Sequence, residues 1–424
     1  MIYKDGVAIV LAGGGARGSY QVGAMKALRE LGVGYSIVTG TSVGALNGAV
    51  MTLENGVELA QEMWMHITTE SVLDCSVEGD MSDPAAKNAA LRVFVAKAIK
   101  DGSIDQSPLR ELLMRVVDVD GVYESPIDFG LVTVHYPSLE PVCLFKGDIP
   151  RDKLIDYMMA SSACFPGMKT YTDGGYYDNM PINMALDRGA TEIIAINLHS
   201  IGVSRSVKRQ DVKLTVIEPH EDLGMILIFS PEVARRNIAI GYNDAMKAYG
   251  RYDGWTYTFE KGSFEGGKEA FVELCERLAR LALPRNAAGD AFLDFIALRF
   301  IKHMVKTTSA KYVHRGWIHV AADMAGRMFG LETAHVYTER EFAQEIKLRL
   351  LATESPAKAG DLVEAAKSIG DKAMLTRLFY DELRRGLDVG RLSAQVSLAA
   401  GAVMTQLLAA AFCVLIDERY APQL

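Results

Sequence analysis

The sequence predicts an α/β fold: a mostly parallel sheet covered on both faces by helices, followed by a helical C-terminal region. Three observations carry this reading. Within the first 53 residues a strand pattern alternates twice with a helix pattern, each strand-to-helix turn is marked by glycines, and beyond Gly250 strand-like runs give way to helical spacing.

The elements follow in order. "VAIVLA" (7–12) is an uninterrupted apolar run ended by glycines, as expected of a strand buried on both faces. From Arg17 to Leu31 the apolar positions Val22, Met25, Leu28 and Leu31 recur at helical spacing until Gly32 and Gly34 stop the pattern. "YSIVTG" then reads as a second strand and "SVGALNGAVMTL" as a second helix that begins at Ser42. Ser107 before Pro108 is expected to cap a short helix through Val117, because proline at the first helical position lacks only an amide that has no partner there. "FGLVTVHY", "PVCLF", "TEIIAINL" and "VKLTVIEP" add four strands. The glycine-rich break "KGSFEGGKE" places a boundary near residue 262, giving an expected α/β domain over 1–262 and a helical domain over 263–424.

Composition narrows the function classes. With 424 residues, 49% of them hydrophobic, the chain can bury a large core or two smaller ones. A formal net charge of -8, with basic residues scattered among the acids, argues against a nucleic-acid partner. The five cysteines lack C-x-x-C spacing, so neither a disulfide framework nor a zinc site is expected, and each reads as a small core residue. The apolar stretch at the N-terminus is too short for a signal peptide, making the cytoplasm the default location. The uncharged segment Val396 to Ile416 is long enough to span a bilayer, but its alanines and its Ser397, Thr405 and Gln406 favour a buried helix over membrane attachment.

Chemistry concentrates at glycine-rich turns. Gly40-Thr41-Ser42-Val43-Gly44 is a G-x-S-x-G motif at a strand-to-helix turn, the context in which a strained elbow presents a nucleophile. Read blandly, it is a serine N-cap. The preceding turn, Gly13-Gly14-Gly15-Ala16-Arg17-Gly18, can point consecutive amides at an oxyanion, with Arg17 fixing the loop or adding charge. Its G-x-G-x-x-G spacing also fits a dinucleotide loop, but no acid follows at the end of the second strand to hold a ribose. A third turn sets Asp173 before Gly174 and Gly175, where its carboxylate can reach a serine on another loop. The bland alternative there is an Asp-Gly turn.

Together "GGGARG", "GTSVG" and "DGG" resemble, in order, the oxyanion loop, nucleophile turn and aspartate turn of the patatin-like phospholipase family. "IDQSPLRELL", "ASSACFP", "GGYYDNMPINMALDRGATEIIAIN" and "GYNDAM" extend the resemblance over residues 5 to 250. It implies a three-layer α/β/α fold and a lipid acyl hydrolase with a Ser42–Asp173 dyad. Amides from Gly13 to Gly15, helped by Arg17, would hold the oxyanion, and no metal or organic cofactor is required. The substrate would be a fatty acyl ester in a lipid or at a membrane surface, with "YMMASSACF" and apolar helices lining the acyl pocket. The segment "GMKTYT" before Asp173 is shorter than the family's usual piece. Two alternatives stand beside the dyad. One is a triad hydrolase in which Asp173 orients His199 or His220. The other is a ligand-sensing or scaffold protein without turnover, whose C-terminal region binds a regulatory partner or a second copy.

Overall fold

The computed structural model describes residues 2–73, 105–163, 170–282, 317–355, 370–393 and 404–420, together with positions 86, 89, 93 and 396. The chain divides into two compact units, Met1–Tyr249 and Gly250–Leu424.

In the first unit the order is β1 (Tyr3–Leu11), α1 (Ser19–Glu30), β2 (Tyr35–Thr41), α2 (Val43–Val50), α3 (Gly56–His66), α4 (Ser107–Val116), α5 (Val119–Glu124), β3 (Asp128–His135) and β4 (Pro141–Phe145). It continues with α6 (Leu154–Ser161), β5 (Tyr171–Asp173), α7 (Ile182–Asp187), β6 (Glu192–Ile196), β7 (Lys213–Ile217) and α8 (Pro231–Ala248). The strands form one sheet in the order β4-β3-β2-β1-β6-β7, with β5 paired to β3. All neighbours are parallel except β4 and β5, each antiparallel to β3, so the predicted mostly parallel sheet is observed. Alternate side chains serve opposite faces. Ala8, Val10, Ile37 and Ile193 cluster with Ile182 and Leu186 of α7, whereas Leu11 and Val38 meet α2 at Gly48.

Two features of this topology create the site. Strand β1 lies between β2 and β6, so the chain leaves it in both directions along the sheet, and the crevice beyond the carboxyl ends of such strands is where open α/β sheets bind ligands. The second is the pairing of β3. Thr133 pairs with Val142 of β4 on one side and with Asp173 of β5 on the other, and that second side is the one β2 occupies until Thr41 meets Val132. Strands β2 and β5 therefore run toward each other along the same edge of β3 and end on consecutive residues of it. That register brings the end of β5 to the start of the serine turn.

Some local expectations shift. Ser107 is the first helical residue of α4 and not its cap; Gln106 takes the N-cap position and the Ser107 hydroxyl donates to Asp105 at 2.6 Å. Cys275 and Cys413 are buried as expected, but Cys143 is exposed because β4 is an edge strand. Cys75 and Cys164 lie outside the described residues.

The second unit contains β8 (Tyr252–Gly254), β9 (Thr258–Glu260), α9 (Gly267–Ala282), α10 (Trp317–Phe329), β10 (Val336–Tyr337), α11 (Glu339–Ala352), α12 (Lys372–Val389) and α13 (Met404–Tyr420). The glycine-rich break near 262 falls inside this unit, because β9 pairs with β8 just before the break and with β10 far beyond it. Its core gathers Phe259, Phe271, Phe342, Phe379 and Phe412. Leu408 to Ile416 of the alanine-rich segment lie in that core, buried around the whole of α13. Among the described residues no helix is long and apolar enough to span a membrane. Residues 397–403 of the segment lie outside the described ones.

Candidate active site

The glycine corners behave as the sequence predicts at the backbone. Ser42 is the N-cap of α2 with φ 55° and ψ −126°, a conformation that costs a non-glycine residue about 1–3 kcal/mol. Its flanking glycines allow this turn to close. A Cβ on Gly40 would stand 2.2 Å from the Gly44 carbonyl oxygen, and one on Gly44 would stand 2.2 Å from the Leu11 carbonyl oxygen. Any side chain at either position would collide with backbone.

The carboxylate of Asp173 accepts a hydrogen bond from the Gly175 N–H at 2.7 Å, and the Ser42 hydroxyl acts on it by favouring its charged form. Burial pushes the Asp173 pKa up to about 6, against these two contacts. Gly174 fits between the Val132 carbonyl and Thr41, closing the turn on the end of β2. Asp178 is also raised to about 6 by burial, yet its carboxylate turns to the Met180 N–H and the Arg205 charge. His199 engages elsewhere: its Nε2 lies 2.8 Å from Glu218, and no imidazole stands among the groups that shift Asp173.

The first turn is narrower in its offer than the sequence suggests. The Gly13 N–H donates to the Asn179 carbonyl at 3.0 Å, and Asn179 Nδ2 donates back to the Gly13 carbonyl at 3.3 Å. Ala16 and Arg17 N–H groups are also engaged, with Ile226 and Gly14 carbonyls. Among the described residues the Gly14 and Gly15 amides have no protein acceptor, nor has the Val43 amide that follows the serine. Gly18 closes the loop against Val43 and Trp64. Arg17 is committed to structure: its guanidinium donates to the carbonyls of Gly224 at 2.8 Å, His199 at 3.0 Å and Leu198 at 3.4 Å. It ties the glycine loop to two others, which is the loop-fixing role of the two expected for it.

Sequence reasoning missed the residues that brace this corner. Ser161 Oγ accepts from the Ser42 N–H at 3.0 Å and donates to the Val132 carbonyl at 2.6 Å. Thr41 Oγ1 donates to the Asp178 carbonyl at 2.7 Å, and the Asp173 N–H donates to the Ala163 carbonyl at 3.0 Å. A serine at the end of a helix and a threonine in a strand give no sequence signal for such roles. Ser161→Ala strands one buried donor and one buried acceptor, and is expected to cost about 1–3 kcal/mol of stability, read from the urea midpoint.

A cavity opens beside Ser42, with about 700 Å³ of space, part of it open to solvent. Its wall is apolar, built from Leu46, Trp64, Leu109, Leu113, Leu227 and Phe229 among others. The expected lining by "YMMASSACF" is corrected: Met158 and Met159 are buried away from the cavity, and of the described part of that stretch only Ser162 reaches it. Cys164, Phe165 and residues 166–169, including the first half of the short "GMKTYT" piece, lie outside the described residues. Among the described residues no group of three or more His, Cys, Asp or Glu is placed to hold a metal ion.

A family model described as Patatin-like phospholipase matches residues 9–186. Human Patatin-like phospholipase domain-containing protein 6 is 31% identical over 206 residues, covering 46% of this chain and 13% of that protein. Neuropathy target esterase sws of Drosophila melanogaster is 28% identical over 205 residues, covering 46% of this chain and 13% of its own length. The chain thus spans about one eighth of the length of these relatives. The solved structure of VipD from Legionella pneumophila aligns over 97% of this chain and 92% of its own, at 13% identity and a TM-score of 0.33, too low to bear on function. Residues 9–186 of this chain form a patatin-like phospholipase domain with the patatin fold.

Proposed function

We propose that the protein is a lipid acyl hydrolase that cleaves fatty acyl esters of phospholipids or related lipids with a Ser42–Asp173 dyad. The observation that carries this reading is Ser42 itself, held at a strained turn on the wall of an apolar cavity, with a hydroxyl that lowers the pKa of the half-buried Asp173 carboxylate against the effect of burial. The names of the relatives, among them a Lysophospholipase nte1 of Aspergillus terreus, 59% identical over 44 residues, support it.

The steps follow from the geometry. Ser42 Oγ attacks the ester carbonyl while Asp173 takes its proton, and the Gly14, Gly15 and Val43 amides donate to the developing oxyanion. The tetrahedral intermediate collapses, Asp173 returns the proton to the leaving alcohol, and the acyl group stays on Ser42 with its chain in the apolar cavity. Water, deprotonated by Asp173, then attacks the acyl-enzyme and releases the fatty acid. A free aspartate is a weak base. The rise to about 6 makes this one strong enough to serve near neutrality while keeping it ionised there. The engagement of His199 with Glu218 supports a dyad over a triad.

The test is fatty-acid release from mixed micelles of a palmitoyl phospholipid by the purified full chain. Release at a rate proportional to protein, above that of the Ser42→Ala variant prepared in parallel, is expected. A wild-type rate equal to that of the variant on phospholipid, lysophospholipid and monoacylglycerol would reject the enzyme in favour of a scaffold.

A further inference from the structure

We propose that the cavity beside Ser42 is a ruler for the acyl chain, rewarding each carbon up to about ten to twelve and none beyond. This rests on the hydrolase reading and adds to it a chain length for the substrate.

The cavity runs the length of the two helices that wall it. Ser42, Val43 and Gly15 line one end, where the proposed reaction puts the ester carbonyl. From there α2 contributes Leu46 and Val50 from one face, and α4 contributes Leu109, Leu112 and Val116 from one of its own. Hydrogen bonds start both helices from the same place. Ser161 Oγ accepts from the Ser42 N–H at 3.0 Å, and the carbonyl of the next residue, Ser162, accepts from Gln106 Nε2 at 3.0 Å. Ser42 and Gln106 are the N-caps of α2 and α4, so consecutive residues hold the two N-termini. The other ends also meet. Beyond α4 the Ser125 hydroxyl donates to the Thr52 carbonyl just past α2 at 2.7 Å, and a Cβ on Gly121 would stand 2.9 Å from Leu53 Cδ2. Both helices therefore lead away from the serine in the same direction, and Val50 and Val116 lie at the far end.

Helix geometry sets the length of this wall. At a rise of about 1.5 Å per residue, Ser42 to Val50 spans about 12 Å and Gln106 to Val116 about 15 Å. An extended acyl chain, built of single bonds of about 1.5 Å at tetrahedral angles, advances about 1.25 Å per carbon, so about ten to twelve carbons fill it. Among the described residues none that lines the cavity is charged. Past the far end the surroundings change. The residues that follow α2 and α4 line a separate hollow, with Thr52, Glu54, Asn55, Asp118 and Glu124 on its wall. Each carbon short of Val50 and Val116 leaves water for a hydrocarbon surface, whereas a carbon beyond them comes into the range of carboxylates and gains nothing.

The experiment uses 4-acyloxybenzenesulfonates with straight acyl chains of four to sixteen carbons, each below its micelle-forming concentration. It reads release of the phenol by the full chain as kcat/KM relative to the butanoyl ester. The leaving group is constant, and a general loss of activity cancels in the ratio. The wild type is expected to gain about fourfold per carbon, the equivalent of about 0.8 kcal/mol per methylene, and to level off at about ten to twelve carbons. Leu112→Trp and Val116→Trp set an indole in the path one turn apart, both at half-buried positions. Each is expected to level off earlier than the wild type, Leu112→Trp about four to five carbons before Val116→Trp. Where an indole unfolds a variant, the wild-type break point alone decides. Equal rates across the wild-type series, a rise that continues to sixteen carbons, or one break point shared by the wild type and both variants overturns the ruler and leaves the hydrolase standing. Wild-type turnover no higher than that of Ser42→Ala on every ester takes both readings down.

Discussion

Ser42→Ala is expected to lower fatty-acid release by at least about 10³-fold, because the acyl-enzyme has no other nucleophile and only the oxyanion amides and the cavity remain to assist water. The loss has a structural control. Ser42 sits at φ 55° and ψ −126°, where any residue with a Cβ is strained, so Ser42→Gly is expected to be equally inactive yet about 1 kcal/mol more stable than Ser42→Ala. Urea midpoints of the two variants against their turnover check this. A strained serine that is tolerated for packing alone would show no such split between activity and stability.

Asp173→Asn is expected to remove activity to a similar degree, since an amide cannot take the serine proton, while making the protein more stable at neutral pH. The sign follows from which state binds the proton more tightly. Burial raises the Asp173 pKa from the ordinary carboxylate value to about 6, so the folded state holds a proton that the unfolded chain has already shed. The resulting penalty is absent below about pH 4, grows as pH rises through the window up to about 6, and is constant above it. A rise of this size corresponds to about 3 kcal/mol, net of the Ser42 and Gly175 contacts that favour the charged form. Asparagine removes the charge and keeps an acceptor for Ser42 and the Gly175 N–H. Urea unfolding at pH 7 and pH 4 is therefore expected to show a gain at the first and none at the second. A variant that is equally stable at both would contradict the buried charge.

The three glycine corners were legible because each needs a residue type that little else explains: Gly40 and Gly44 face backbone oxygens at 2.2 Å, and no side chain can replace them. The alternation of strand and helix was legible for the same local reason. Their meeting was implied only by the resemblance. It depends on β5 pairing with the edge of β3 that β2 vacates after Thr41, which brings turns more than 130 positions apart in the chain to consecutive residues of β3. The braces Ser161 and Asn179 are ordinary polar residues whose partners exist only once that register forms. The Gly13 amide shows the converse: the loop composition offered it to an oxyanion, and a tertiary hydrogen bond from it to Asn179 takes it away.

The most direct measurement of the central claim is the rate at which a fluorophosphonate labels the protein as a function of pH, with the modified residue located by peptide mass spectrometry. The account predicts adduct on Ser42 alone, with a rate that rises tenfold per pH unit and levels above about 6 in the wild type, and no such rise in Asp173→Asn. Label on another residue, or a Ser42 labelling rate with the same pH profile in both proteins, would contradict it.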